Sequence, residues 1–201
     1  MLAHGSGALI TTATLIAIST TRFVLRAVCK LSPTTPNEVY PFLLKVDMDA
    51  VYGTFHPDVE KQFRETLPAA EFKRIQWQRI HLALHYCKHI ANNSRVFLYW
   101  SQYEGKQNWP TGDVDEIRST IKQLRVACLQ SRLSTCLVRF RLQWWLFQMA
   151  LLPFVEPPSF ATLIAHGGWD MISFYEKVTG LAESLSLAYG SEYHKKIMQA
   201  L

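Results

Sequence analysis

Apolar side chains recur at helical spacing along most of the chain, and no stretch alternates apolar and polar residues as a half-exposed strand would. The two longest helical patterns cover about residues 68–106 and 113–152. Between them, Pro110 and Gly112 mark a turn, and acids crowd the start of the second pattern, where they match the positive end of a helix dipole. The sequence therefore predicts an all-α fold, an antiparallel helical bundle built on a long helical hairpin.

Proline, serine and glycine residues mark shorter helices on either side of this hairpin. These helices are predicted over residues 57–67, from Ser159 to an interruption at Gly167 and Gly168, over residues 170–189, and after Gly190. Residues 39–54 are expected to be irregular, with apolar side chains lying across the bundle and the paired acids Asp47 and Asp49 in a loop.

The first 31 residues form a different kind of segment. No side chain from residue 5 to residue 21 is charged, and eight of these 17 residues are Ala, Leu or Ile. Arg22, Arg26 and Lys30 follow, and long basic side chains near a helix end can reach the lipid headgroups. We expect a single transmembrane helix, with the N-terminus outside and the later residues cytoplasmic because the bases follow the span. An organelle presequence and a buried helix of a soluble domain are the alternatives.

The chain is thus expected to comprise a membrane-anchor helix (1–31), a linker and irregular segment (32–56) and a helical bundle domain (57–201). Apolar residues make up 49% of the chain and charged residues 18%, which excludes an intrinsically disordered protein. None of the four cysteines belongs to a CxxC pair, and we expect them to be reduced thiols, mostly buried as small apolar side chains.

Basic residues are concentrated in the second long helix. The formal net charge is +5, and residues 117–155 contain six bases and no acid. Four arginines recur every seven residues and form one ridge, which leads into a tryptophan pair. Arginines followed by tryptophans and an apolar stretch are typical of helices at the level of the headgroups. The sequence predicts a membrane- or partner-binding surface composed of Arg118, Lys122, Arg125, Arg132, Arg139, Arg141, Trp144 and Trp145.

Two alternatives to this surface remain open. The two tryptophans could fill the core of the bundle while the arginines are solvated or paired with acids of a later helix. Nucleic acid is the other common partner of a basic helix, but no motif that binds nucleic acid is present, and we do not expect this partner.

His81, His85 and His89 are spaced one helical turn apart in the first long helix, on its polar face. Imidazoles at this spacing can share a metal ion or bind haem, so they are the candidate metal ligands. The HExxH and ExxH motifs are absent, however, and a solvated histidine stripe that changes charge near pH 6.5 is the simpler interpretation. No cofactor is expected otherwise.

Catalytic signatures such as GxSxG, the P-loop and GxGxxG are missing from the sequence. We therefore expect a membrane-anchored helical scaffold or interaction protein, an accessory or assembly subunit of a membrane complex. Its basic face would lie toward the inner leaflet or a partner, and its partners would be membrane lipid and another membrane protein. The alternative is a membrane-tethered metal- or haem-dependent enzyme that uses the histidine stripe.

Overall fold

The computed structural model describes residues 39–107, 114–152 and 156–201, and every regular element in these ranges is a helix. The prediction of an all-α helical bundle is confirmed. None of the helices in these ranges combines the length and the apolar character needed to cross a bilayer. The predicted membrane anchor, residues 1–31, lies outside the described residues, and so does the start of the linker.

The elements follow the order that the sequence predicts, with two additions near the beginning, a 3₁₀ turn and a short α-helix. A 3₁₀ turn, Tyr40–Phe42, precedes the first α-helix. The helices are α1 (Met48–Phe55), α2 (Pro57–Thr66), α3 (Ala69–Glu104), α4 (Val114–Leu151), α5 (Phe160–Leu163), α6 (Trp169–Leu187) and α7 (Ser191–Ala200), and a π-helical segment (Ile164–Gly168) joins α5 to α6.

The two long helices begin and end within two residues of their predicted bounds. Helix α3 begins directly after Pro68 and carries Glu71 in its first turn, while α4 carries Asp115 and Glu116 in its first turn. Both helices are therefore started by residues that favour a helix N-terminus. Gly167 has a φ of +100° inside the π-helical segment, a conformation that glycine adopts without strain, so the predicted interruption is present as a local distortion.

The expectation of an irregular segment over residues 39–54 is wrong for α1. The side chain of Asp47 accepts a hydrogen bond from the Ala50 N–H at 3.1 Å and caps this helix, so Asp47 and Asp49 do not lie in a loop. Val51 and Phe55, one turn apart, are both fully buried. Because α1 has only eight residues, its apolar period is too short to recognise in the sequence.

Helix α4 packs against α3 on one side and α6 on the other, and these two packing surfaces contain most of the core. Residues Ile121, Leu124, Cys128 and Thr135 are buried and form the seam through which α4 packs against its neighbours, called the buried seam below. Near the other end of α4, Leu142 and Trp145 pack with Phe160 and Tyr175. The inward face of α4 is thus buried against the other helices of the bundle.

The described cysteines are free thiols, and two of them belong to the core. Cys87 and Cys128 are completely buried, and burial raises the pKa of Cys87 to about 12 and raises that of Cys128 as well. These two thiols act as small apolar side chains. Cys136 is exposed on α4.

Candidate functional site

The predicted histidine stripe lies on the outer face of α3. His81 and His85 are exposed, and the ring of His81 lies 5.4 Å from that of Trp77, centroid to centroid. The rings of His85 and His89 are 4.2 Å apart, and Nδ1 of His89 lies 3.0 Å from the carbonyl oxygen of Lys45, to which it donates. Within the three described ranges, no group of three or more His, Cys, Asp or Glu side chains is arranged to hold a metal ion.

The same face of α3 binds the chain segment that precedes α1. Asn92 donates its amide to the carbonyl of Phe42 at 2.8 Å. Asn93 accepts from the Leu44 N–H at 2.8 Å and donates to the Leu44 carbonyl at 2.7 Å and to the Tyr175 hydroxyl at 2.8 Å. Together with His89, these two asparagines form a polar clamp that holds residues 42–45 across α3. The clamp has a structural role that the sequence analysis did not identify.

The basic residues of α4 differ in their exposure to solvent. Arg118 and Lys122 are exposed, whereas Arg132, Arg139 and Arg141 are half-buried. Arg125 is also half-buried, and its guanidinium donates to the carbonyl of Ser101 in α3 at 2.7 and 3.2 Å. At about 100° per residue, the heptad arginines turn gradually toward the bundle along the helix, because a seven-residue step falls about 20° short of two turns.

The two adjacent tryptophans have opposite environments. Trp145 is only 8% exposed and makes an edge-to-face contact with Phe160, with ring centroids 5.8 Å apart. It therefore belongs to the core and is not part of a contact surface in this structure. Trp144 is half exposed, and its ring stacks on that of Phe147 at 5.5 Å.

Trp144 is one member of an exposed apolar row that runs along α4. All the members of the row are between 50% and 68% exposed. They are Val126, Leu129, Leu133, Leu137, Phe140, Trp144, Phe147 and Leu151. At about 100° per residue, the row occupies an arc of roughly 80° on the helix and is about 38 Å long. Of the predicted surface residues, Trp144 lies in the row and Lys122 continues it toward the start of α4.

The size of the apolar row distinguishes it from scattered surface leucines. Eight large apolar side chains at half exposure or more present on the order of 800 Å², above the roughly 300–600 Å² of the largest apolar patch on a typical monomer. The row faces directly away from the buried seam of α4, so neither α3 nor α6 covers it. Apolar patches of this size on soluble domains usually mark surfaces that bind a partner.

The sequence carries a signal for this row, although the sequence analysis did not separate it from the core residues. Val126, Leu133, Phe140 and Phe147 recur every seven residues, as do Leu137, Trp144 and Leu151. These heptads lie opposite the buried seam, so α4 has two apolar seams on opposite faces.

A comparison of the chain with family models, curated proteins and solved structures finds no match.

Proposed function

We propose that this chain is a helical scaffold protein that functions by binding, and that the apolar row of α4 is its contact surface. One observation carries this proposal: eight large apolar side chains lie in a single exposed line on a helix whose opposite face is already packed. Leaving such an area in water is unfavourable, and a partner that covers it gains this hydrophobic free energy.

In this proposal, residues 1–31 anchor the chain in a membrane as a single helix, with the helical domain on the cytoplasmic side. The chain is then an accessory or assembly subunit of a membrane complex. Arg118 and Lys122, which are exposed near the start of α4, supply positive charge toward anionic headgroups. An anchor also concentrates the contact surface in two dimensions, so that a modest affinity of the row suffices for binding.

Photo-crosslinking of the full chain in cells tests this proposal. A benzophenone side chain is introduced at Phe140, in the row, and in a separate variant at Trp77, which is partly exposed on α3. Membranes are washed with alkaline carbonate before the products are separated. We expect the chain to stay with the membranes and the Phe140 variant to form discrete crosslinked products at several times the yield of the Trp77 variant.

Two results would count against the proposal. Equal yields from the two positions would show that the row is not a contact surface. Release of the chain into the carbonate supernatant would show that residues 1–31 do not span the membrane.

A further inference from the structure

We infer that the apolar row of α4 binds the same row of a second copy of this chain, with the two α4 helices antiparallel. This inference rests on the proposed contact function of the row and names its partner. The first argument is spacing. From Leu133 to Leu151, the row advances by steps of four and three residues in strict alternation. This is the spacing of the narrow seam through which two helices pack in a coiled coil.

The second argument is the distribution of side-chain size along the row. The half nearer the start of α4 is aliphatic (Val126, Leu129, Leu133, Leu137), and the next three members are aromatic (Phe140, Trp144, Phe147). Well-packed interfaces place large side chains opposite small ones. A parallel, in-register pair would instead place aromatic rings against identical rings and leave the aliphatic half loosely filled.

An antiparallel pair solves this packing problem over most of the row. The midpoint of the row falls between Val138 and Arg139. A two-fold axis at this point aligns six of the eight row members with row members of the second copy, and such an axis is the common symmetry of homodimers. These facing pairs are Val126 with Leu151, Leu133 with Trp144, and Leu137 with Phe140 of the second copy. The other two members, Leu129 and Phe147, face Gln148 and Gln130 of the second copy.

The third argument is charge. Six residues flank the central part of the exposed row, and only one of them is charged. They are Ser134, Cys136, Arg141, Gln143, Gln148 and Ala150. The antiparallel register places Arg141 near Ser134 of the second copy, so the two arginines do not face each other. Arg132 and Arg139 lie about 100° and 120° from the centre of the row, and both are half-buried against the bundle. A second copy thus meets little like-charge repulsion.

The fourth argument is area. The row offers on the order of 800 Å² on each copy, which is the area that one partner contributes to a protein interface of standard size. The area of the row is therefore sufficient for an interface of standard size.

The mass of the full chain in mild detergent tests the inference, measured by light scattering with correction for bound detergent. We expect a dimer for the wild type and at least a hundredfold weaker association for Leu137→Glu. Leu187→Glu is the matched control, because Leu187 on α6 is 57% exposed and Leu137 is 60% exposed. The control variant stays dimeric, and both variants keep the helical circular dichroism of the wild type because neither side chain is buried.

The direction of the pair is tested by a spin label at Lys122→Cys, with Cys29 and Cys136 replaced by serine. In the antiparallel register, the two labelled positions are 33 residues apart along the helix axis, or about 50 Å. A label separation near 50 Å supports the inference, and a separation below about 25 Å would overturn the antiparallel register.

Other outcomes separate this inference from the proposed function. A monomeric wild type whose row crosslinks to lipid or to a different protein would overturn the second copy as partner, while the row would remain a contact surface. A dimer that Leu137→Glu leaves intact would overturn the inference as well, because another surface would then hold the copies together.

Discussion

Replacing Asn93 with alanine should lower the free energy of unfolding by about 4 kcal/mol, because it removes three hydrogen bonds made by a completely buried side chain. The Asn93 side chain is completely buried, and it satisfies both the N–H and the carbonyl of Leu44 as well as the Tyr175 hydroxyl. Urea unfolding of the full chain, followed by circular dichroism, measures this loss.

The neighbouring Asn92 provides the matched control for this prediction. It makes a similar bond to the backbone, to the carbonyl of Phe42 at 2.8 Å, but its side chain is only partly buried. Water can take over that bond, so Asn92→Ala should cost about 1 kcal/mol or less. Equal losses for the two variants would contradict the role assigned to the polar clamp.

Replacing Arg79 with methionine should destabilise the fold by about 3 kcal/mol. The change removes a buried positive charge and its hydrogen bonds, and it leaves the buried negative charge of Glu60 without this partner. The guanidinium donates to the carbonyls of Thr54 and His56 at 2.8 and 3.2 Å and lies 4.6 Å above the ring of Phe160. Burial lowers the pKa of Arg79, while the negative charge of Glu60 favours its protonated form. Methionine fills the space but supplies neither the hydrogen bonds nor the charge.

Arg64→Met is the control for the Arg79 variant in the same unfolding experiment. Arg64 pairs with Glu60 and Glu156, both at 3.4 Å, but its side chain is 43% exposed. The Glu60 carboxylate is buried, but it keeps the hydrogen bond from the Phe160 N–H when Arg64 is replaced, and the Glu156 pair is exposed, so we expect a loss of about 1 kcal/mol. An Arg79 variant as stable as the Arg64 variant would contradict the anchoring of α1 and α2 through Arg79.

The sequence was sufficient to predict the long helices because their signals are local. Pro68 starts α3, Asp115 and Glu116 start α4, and the apolar periods between these points and the next breaks are long. Helix α1 was missed because eight residues give too few repeats to detect. Its formation depends on the cap at Asp47 and on the burial of Val51 and Phe55, and burial depends on the tertiary structure.

The candidate surface could be predicted only in part, because the sequence does not distinguish which of two apolar faces is buried. Trp144 and Trp145 were predicted to share one surface, but adjacent residues on a helix point about 100° apart, and only Trp144 is exposed. The arginines were predicted to form one ridge, whereas Arg125 is bound to the Ser101 carbonyl of α3. The neighbours of α4 had to be known before the exposed row could be recognised.

Hydroxyl-radical footprinting of the full chain in its native membrane tests most directly whether the apolar row is covered in the working protein. Trp144 and Trp77 provide an internal comparison, because they are 50% and 37% exposed in the isolated chain. Those exposures alone would make Trp144 the more readily oxidised of the two. We predict the reverse order in the membrane, with Trp144 protected several-fold relative to Trp77. Oxidation of Trp144 at or above the rate of Trp77 would contradict the claim that the row is a contact surface.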